Sequence, residues 1–256
     1  MLFESPIFGP VHSRRLGVSL GINLLPADGK VCSFDCIYCE CGYNGGQAPR
    51  EKFPTREAVR NALRQRLADM QANGPAPDVL TFAGNGEPTL HPEFAGVIDD
   101  TIALRNEFFP EAKVSVLSNA AQILRQDVFD ALLRVDNNIL KLDTVSMDYI
   151  RRADRPQQSF YDVEQIIARM TEFQGHCIVQ TLFMHGTHKG EDVSNLDERY
   201  VAPWLEAVQR IAPSEVMVYT IDRQTPSPLL RKALPAELDA IAEQVRRLGI
   251  PCQVSY

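Results

Sequence analysis

The chain has 256 residues, of which 45% are hydrophobic and 23% are charged, and its formal net charge is −7. This is the composition of a globular protein that buries one sizeable core, and no apolar run is long enough to span a membrane. The acidic balance argues against a nucleic-acid partner without excluding one, because lysine and arginine drive phosphate binding. Residues 1–10 carry no basic segment followed by an apolar one, so we expect a cytoplasmic protein.

The predicted elements begin with a strand at residues 16–24, where apolar residues alternate with Gly, Ser or Asn. After it, short apolar runs alternate with segments in which apolar residues recur at helical spacing. The runs predict strands at residues 78–83, 113–117, 139–142, 177–184, 216–221 and 252–255. The spaced segments predict helices at residues 55–73, 93–108, 125–134, 166–173, 204–211 and 238–248. Thr55 is a candidate N-cap of the first helix.

This order contains about six strand-then-helix units, which predicts an α/β fold with a parallel sheet covered by helices. No linker or low-complexity tract interrupts it, so we expect a single domain over residues 1–256. Periodicity alone does not separate an open sheet from a barrel. In both architectures the functional site lies at the C-terminal ends of the strands.

Four of the six cysteines lie within ten residues, at positions 32, 36, 39 and 41. Such clustering is typical of a metal site in a reducing compartment. Thiolates are preferred ligands of iron, and Cys32, Cys36 and Cys39 could hold three irons of a [4Fe–4S] cluster and leave the fourth open. With Cys41 the same residues could instead form a structural zinc site, although such sites draw paired ligands from two separated knuckles. Buried or disulfide-bonded cysteines are a further alternative.

Polar segments follow three of the predicted strands. Residues 84–87 form a glycine-rich turn, in which the main chain can approach a ligand and Glu87 can accept a hydrogen bond from an ammonium group. Ser118 and the next residue, Asn119, end another strand and suit either ribose hydroxyls or a turn. Lys141 and Asp143 share one face of a strand, and they serve either a cavity or an ion pair.

The spacing Cys-x3-Cys-x2-Cys, with Tyr38 directly before the third cysteine, resembles the radical S-adenosylmethionine (radical SAM) superfamily. In that family a [4Fe–4S] cluster binds S-adenosylmethionine through its open iron and cleaves it reductively. The resulting 5′-deoxyadenosyl radical abstracts hydrogen from a substrate. The resemblance implies a partial (β/α)6 TIM-like barrel and a cluster held by Cys32, Cys36 and Cys39. It assigns no role to Cys41, Cys177 or Cys252.

The resemblance continues in the segments that follow the strands. The turn at residues 84–87 resembles the Gly-Gly-Glu motif that binds the amino group of S-adenosylmethionine, with Asn85 in place of one glycine. Tyr38 is expected near the adenine. The residues that the resemblance assigns to the binding of S-adenosylmethionine are Tyr38, Gly84, Asn85, Gly86, Glu87, Ser118, Asn119 and Asp143.

Further segments resemble the iron–sulfur oxidoreductases related to wyosine biosynthesis. They are residues 8–17, 32–36, 86–89, 117–119, 141–143 and 219–223. The archaeal wyosine enzymes remodel a tRNA guanosine and hold a second cluster through upstream cysteines, but this chain has no cysteine before Cys32. The substrate, whether a small molecule or a macromolecule, is therefore unassigned. Arg14, Arg15 and Arg223 are candidates for binding an anionic substrate.

Three alternatives stay open beside a radical SAM oxidoreductase of unassigned substrate. They are a wyosine-type tRNA-modifying enzyme, an activase of a glycyl-radical enzyme, and a zinc-stabilised binding module without enzymatic activity. Radical SAM chemistry also implies an electron donor such as flavodoxin or ferredoxin. It requires a site closed to water, and we expect lids near Arg50 and residues 184–197.

Overall fold

The computed structural model describes residues 2–13, 17–45 and 49–256. The chain divides into two compact units, each discontinuous in sequence. The first contains Met1–Cys32, Asn44–Ser118 and Leu124–Asn138, and the second contains Ser33–Tyr43, Asn119–Ile123 and Ile139–Tyr256. The assignment of the whole chain to one domain stays a prediction.

The first unit contains four strands in the order β1-β2-β3-β4. They are β1 (Ile7–Ser13), β2 (Gly17–Ile22), β3 (Val79–Phe82) and β4 (Lys113–Ser118). The first pair is antiparallel, and the pairs β2–β3 and β3–β4 are parallel. Three helices accompany them: α1 (Arg56–Asn73), α2 (Phe94–Phe108) and α3 (Gln126–Leu132). Thr55 caps α1 as predicted, because its side chain accepts a hydrogen bond from the main-chain N of Ala58 at 3.2 Å.

The second unit contains parallel strands in the order β5-β6-β9-β11. They are β5 (Asn137–Lys141, which begins in the first unit), β6 (Ile178–Leu182), β9 (Glu215–Tyr219) and β11 (Cys252–Ser255). Its helices are α4 (Met147–Ala153), α5 (Val163–Thr171), α6 (Glu198–Ile211) and α7 (Pro235–Arg247). A small antiparallel sheet has the order β10-β7-β8, from β10 (Leu230–Lys232), β7 (Met184–His188) and β8 (Glu191–Asp192).

The alternation of strands and helices confirms the predicted α/β class. The strands β2, β3, β4, β5, β6 and β9 are each followed by a helix before the next parallel strand. The predicted strand 177–184 was too long. It ends at Leu182, because the chain then leaves the parallel strands and Met184 pairs with Lys232 of β10.

Helix α4 was not predicted from the sequence. Ser146 is its N-cap and accepts a hydrogen bond from the main-chain N of Tyr149 at 3.4 Å. Tyr149, Ile150 and Ala153 are buried. Burial of these three side chains on one face fixes the short helix against the core. The helix was not predicted because seven residues are too few to show a helical period in the sequence.

The end of β5 is fixed by a buried tryptophan. Trp204 of α6 is completely buried, and its indole N–H donates to the main-chain O of Leu142 at 2.9 Å. The hydroxyl of Thr181 donates to the same carbonyl at 2.8 Å. Burial of the large ring therefore also positions the residue that precedes Asp143. Within the described ranges, no helix combines the length and the apolarity needed to cross a membrane.

Candidate functional site

The turn after β3 in the first unit carries a buried carboxylate. Glu87 is 2% exposed, and its Oε1 atom accepts hydrogen bonds from the hydroxyls of Ser118 at 2.8 Å and Thr89 at 2.5 Å. The main-chain N of Thr89 donates to the same oxygen at 3.2 Å. These donors fix the orientation of the carboxylate. The structure thus brings together two of the predicted residues, Glu87 and Ser118.

The same turn pairs with the segment directly before Cys32. The main-chain N of Val31 donates to the carbonyl of Asn85 at 2.9 Å, and the N of Glu87 donates to the carbonyl of Val31 at 3.1 Å. Gly86 lies between these bonds at φ +139°, where a Cβ atom would stand 1.8 Å from the carbonyl oxygen of Val31. Only glycine therefore permits this approach.

Asn85 uses its side chain to hold the main chain of two other segments. Its amide nitrogen donates to the carbonyls of Phe3 at 2.9 Å and Pro26 at 2.8 Å. Its amide oxygen accepts from the N of Phe3 at 2.7 Å. These bonds explain why an asparagine is suitable at this position. Its role toward S-adenosylmethionine, like that of Gly84, stays a prediction.

Gly86→Ala is expected to lower the free energy of unfolding by about 2–4 kcal/mol, because steric overlap adds to the strain of a positive φ. It should also lower the iron content, since Val31 precedes a predicted ligand. Thermal denaturation and iron analysis test both effects. The control is Gly249→Ala, at φ +79°, where a Cβ would meet no described heavy atom within 4 Å. It should cost only about 1–2 kcal/mol, and equal losses in the two variants would refute the steric argument.

The loop that carries the clustered cysteines, residues 32–41, is called the cysteine loop and belongs to the second unit from Ser33 onward. There it lies against the segment at residues 153–157. The N of Asp35 donates to the carbonyl of Asp154 at 3.1 Å, and the N of Ile37 donates to the carbonyl of Ala153 at 2.9 Å. In return, the N of Gln157 donates to the carbonyl of Ser33 at 2.8 Å. This antiparallel contact gives the loop a fixed main chain without a regular strand.

An ion pair joins the same two segments. The guanidinium of Arg155 lies 3.0 Å from the carboxylate of Asp35. Arg155 itself has a positive φ of 54°, which a non-glycine residue rarely adopts. Asp35 is 6% exposed, so this pair is shielded from solvent on the side of the loop.

A buried charge network lies beside the cysteine loop. The ammonium of Lys141 donates to Asp143 at 2.7 Å and also to Asp154. The hydroxyl of Tyr38 lies 2.9 Å from Asp154 and also contacts Asp143, so its single proton is shared between the two carboxyl groups. The ammonium lies 5.0 Å from the centre of the Tyr38 ring, within cation–π range. The predicted residues Tyr38 and Asp143 are therefore in contact. Lys141 forms an ion pair with Asp143, which is one of the two roles that the sequence suggested for this lysine.

The network holds its groups in defined protonation states. Burial lowers the pKa of Lys141, but the charges of Asp143 and Asp154 outweigh it and keep the pKa well above its ordinary value. For Tyr38, burial disfavours the phenolate and raises the pKa well above its ordinary range, and the two carboxylates raise it further. Burial raises the pKa of Asp154 to about 6, although Lys141 opposes the rise. Near neutral pH the network thus contains an ammonium and a neutral phenol.

The three predicted cluster ligands are all thiols. Cys36 is 8% exposed, and Cys32 and Cys39 are half-buried. The N of Cys39 donates to the carbonyl of Cys36 at 3.2 Å, which closes a turn between the two. The negative charge that Cys36 carries when ionised is among those that raise the pKa of Lys141. Thiolates on a fixed, partly buried loop are a donor set that fits an iron–sulfur cluster.

Cys41 is half-buried and follows directly in the same loop. Among the described residues, no three His, Cys, Asp or Glu side chains converge on a single metal ion, so the fit of the three thiols to a cluster rests on their chemistry and their spacing in the sequence. Asn119 donates from its amide nitrogen to the hydroxyl of Ser33 at 2.9 Å, which adds a further contact to the loop. The predicted ribose contact of Asn119 stays a prediction.

Two other predictions concerned anions and lids. Arg14 and Arg15 lie outside the described residues. Arg223 forms an exposed ion pair with Glu40 at 3.1 Å, and its predicted contact with a substrate stays untested. The predicted lid at residues 184–197 contains β7 and β8 rather than an irregular loop.

The residues that sequence reasoning missed are Asp154 and the contacts of Arg155. Both follow α4, and the signal that could have revealed them was Ser146 as a cap before apolar residues at positions 149, 150 and 153. The sequence does not show that these residues hold the cysteine loop, because the contact spans more than a hundred residues of chain.

Comparison with solved structures supports the architecture. The radical SAM methyltransferase of Sphaerobacter thermophilus aligns with a TM-score of 0.67 at 13% identity, over 93% of this chain and 66% of that one. SuiB of Streptococcus suis, solved with S-adenosylmethionine bound, aligns with a TM-score of 0.62 at 14% identity, over 91% of this chain and 50% of that one. These likenesses confirm the predicted fold class, a partial (β/α)6 barrel.

Comparison of sequences identifies the family. A UPF0026 protein of Helicobacter pylori is 31% identical over 229 residues, which are 87% of this chain and 69% of that protein. The family model of the radical SAM superfamily matches residues 28–199, which include the whole cysteine motif. The chain therefore belongs to the radical SAM superfamily, whose members are enzymes that use a [4Fe–4S] cluster and S-adenosylmethionine.

Proposed function

We propose that this enzyme begins hydrogen abstraction from its substrate through S-adenosylmethionine bound at a [4Fe–4S] cluster, and that Cys32, Cys36 and Cys39 hold the cluster. The observation that carries the proposal is the cysteine loop. Its thiols have the spacing of the family motif, and residues 153–157 fix its main chain. When bound, the cluster supplies the electron for reductive cleavage of S-adenosylmethionine to the 5′-deoxyadenosyl radical.

The residues of the chain would bind and orient the cofactors. Glu87 is suited to accept hydrogen bonds from the amino group of S-adenosylmethionine, because Ser118 and Thr89 already hold its carboxylate in one orientation. Gly84 and Gly86 are assigned to the same ligand, because glycine lets the main chain come close to a bound molecule. This assignment rests on the match of the turn to the family motif.

The buried network would support the cysteine loop. Tyr38 lies within the motif and its hydroxyl contacts both Asp143 and Asp154, so the loop is tied to the ends of β5 and α4. We assign Tyr38 and Asp143 to this support in addition to their predicted place beside S-adenosylmethionine. A loop fixed in this way needs little reorganisation when the cofactors bind.

The remaining assignments are also proposals. Enzymes of this superfamily need a reductant, and flavodoxin or ferredoxin is the proposed donor. A cytoplasmic location follows from a cluster that needs a reducing compartment. The single domain and the relation to the wyosine enzymes are proposed on the sequence motifs. The substrate stays open among small molecules and macromolecules.

The test is an anaerobic preparation of the full chain. Iron and sulfide are counted, the protein is reduced with dithionite, S-adenosylmethionine is added, and 5′-deoxyadenosine is measured by chromatography. We expect four irons and four sulfides per chain, as the cluster type requires, and 5′-deoxyadenosine only after reduction. Zinc without sulfide would refute the cluster. An intact cluster that binds S-adenosylmethionine but forms no product under strong reductant would refute the cleavage.

A further inference from the structure

A pocket of about 180 Å³ lies in the second unit and shares Arg155 with the ion pair to Asp35. It is formed by the end of α4 and by the β7–β8 hairpin. Its polar lining consists of Arg151, Arg152, Arg155, His188, Lys189 and Glu191. We call it the basic pocket. Both of its elements follow the C-terminal ends of parallel strands, which is where α/β folds bind ligands.

The basic pocket concentrates positive charge in an acidic protein. Its lining contains four permanent cations and one carboxylate, whereas the whole chain has a net charge of −7. Arg152 lies 3.6 Å from Glu191, and Arg151 lies 3.5 Å from Asp148 on the exposed side of α4. These separations are longer than those of direct charge-assisted hydrogen bonds, which are about 2.7–2.9 Å. Arg152 also donates to the main-chain O atoms of Asp148 and Asp192 and to the hydroxyl of Tyr200 at 3.3–3.4 Å, so a phosphate that bound this guanidinium would replace long bonds with shorter ones.

His188 reports the sign of the local field. Its Nδ1 atom lies 3.0 Å from the hydroxyl of Ser227. Burial lowers the pKa of His188, and the positive charges of Lys189 and Arg155 lower it further. Of the other groups that line the pocket, Arg151 and Arg152 act in the same direction and Glu191 opposes them. An anion in the pocket would raise this pKa.

We propose that the basic pocket binds a small molecule through a phosphate group. Several guanidinium groups around one small volume match the oxygens of a phosphate, because arginine binds such groups in a bidentate manner. A volume of about 180 Å³ is below the ~300–1,000 Å³ of sites that enclose a whole drug-sized ligand. It suits a phosphate group with a short attached fragment. The proposal does not depend on the S-adenosylmethionine chemistry.

Calorimetric titration of the full chain, purified anaerobically, with inorganic phosphate tests the proposal. We expect saturable binding at one site. Lys189→Gln and Arg151→Gln should each weaken it about tenfold, which corresponds to about 1.4 kcal/mol, because each change removes one cation from the lining. Arg247→Gln is the matched control, because Arg247 also lies in the last turn of a helix and faces an acid one turn earlier. It should leave phosphate binding unchanged.

A gain of affinity provides the second test, which misfolding cannot mimic. Glu191→Gln removes the carboxylate from the lining and releases Arg152, so inorganic phosphate should bind about three- to tenfold more tightly. Proton NMR of the histidines should show the pKa of His188 rising when phosphate is added. Unchanged or weaker binding by Glu191→Gln would overturn the proposal.

Two further outcomes would also overturn it. If a labelled RNA hairpin binds with a dependence on Lys189 while inorganic phosphate does not saturate, the surface recognises nucleic acid. If phosphate competes with S-adenosylmethionine, and Lys189→Gln weakens both, the basic pocket is a part of the S-adenosylmethionine site. Phosphate binding that survives while S-adenosylmethionine cleavage fails would instead refute only the proposed function.

Discussion

Replacing Cys36 with alanine is expected to remove the iron and sulfide from the anaerobically purified protein and to abolish formation of 5′-deoxyadenosine. Removal of a residue that only supports a metal ligand lowers metal affinity about 10–100-fold. The loss here should be larger, because Cys36 is itself a proposed ligand. Cys36 is the most buried thiol of the motif, and its main-chain carbonyl accepts the hydrogen bond that closes the turn to Cys39. Iron and sulfide analysis, the visible absorption of the cluster and the product assay measure these losses.

Cys41→Ala is the matched control for this experiment. Cys41 lies in the same loop and is half-buried, as Cys39 is, but it stands outside the family spacing. The variant should keep full iron, sulfide and activity. Loss of the cluster in Cys41→Ala, or its retention in Cys36→Ala, would show that the ligand assignment is wrong. Equal losses in both variants with bound zinc would favour the four-cysteine structural site.

Lys141→Met is expected to lower the free energy of unfolding by about 3–5 kcal/mol, the range for removing one partner of a buried ion pair. The change leaves Asp143 and Asp154 as two buried carboxylates without their ammonium. Tyr38 still offers its one proton to the two carboxylates, but a neutral phenol does not compensate two charges. Urea denaturation at constant cluster content measures the loss. The control is Lys232→Met, because Lys232 forms an exposed pair with Asp222 at 3.7 Å and its loss should cost at most about 1 kcal/mol.

The pH dependence gives this prediction a sign. The pKa of Asp154 in the folded protein is about 6, above its ordinary value of 3.8, so the folded state binds more protons and stability falls as pH rises between these values. Lys141 lowers the folded pKa of Asp154, so removing this lysine raises that pKa and extends the fall to higher pH. The destabilisation by Lys141→Met should therefore be larger at pH 8 than at pH 5.5. Adding Asp154→Asn should recover part of the stability, and no recovery would refute the argument.

Much of the architecture could be predicted from the sequence because it depends on local periodicity. Helix α1 with its Thr55 cap and the short strand β11 both follow from patterns within a few residues. The boundary between β6 and β7 did not, because Met184 pairs with Lys232, which lies far along the chain. Periodicity describes the faces of an element and not the partner that terminates it.

The candidate site shows the same division. The cysteine spacing and the turn before Glu87 are local signals, and they indicated the family. The Ser146 cap could have revealed the helix before Asp154 and Arg155, but not their contacts with Asp35 and Lys141, which form only in the folded chain. Lys141 and Asp143 were predicted to share a face, and the structure shows an ion pair between them, while the place of Asp143 beside S-adenosylmethionine stays a prediction.

Arg155 has a double position that makes two equilibria interdependent. Its guanidinium lines the basic pocket and also pairs with Asp35, the residue next to Cys36 in the cysteine loop. An anion bound in the pocket would compete with Asp35 for the same cation. If the bound anion changes the affinity for the cofactors by some factor, the bound cofactors must change the affinity for the anion by the same factor. A second ligand could in this way signal its presence to the loop without touching a cysteine.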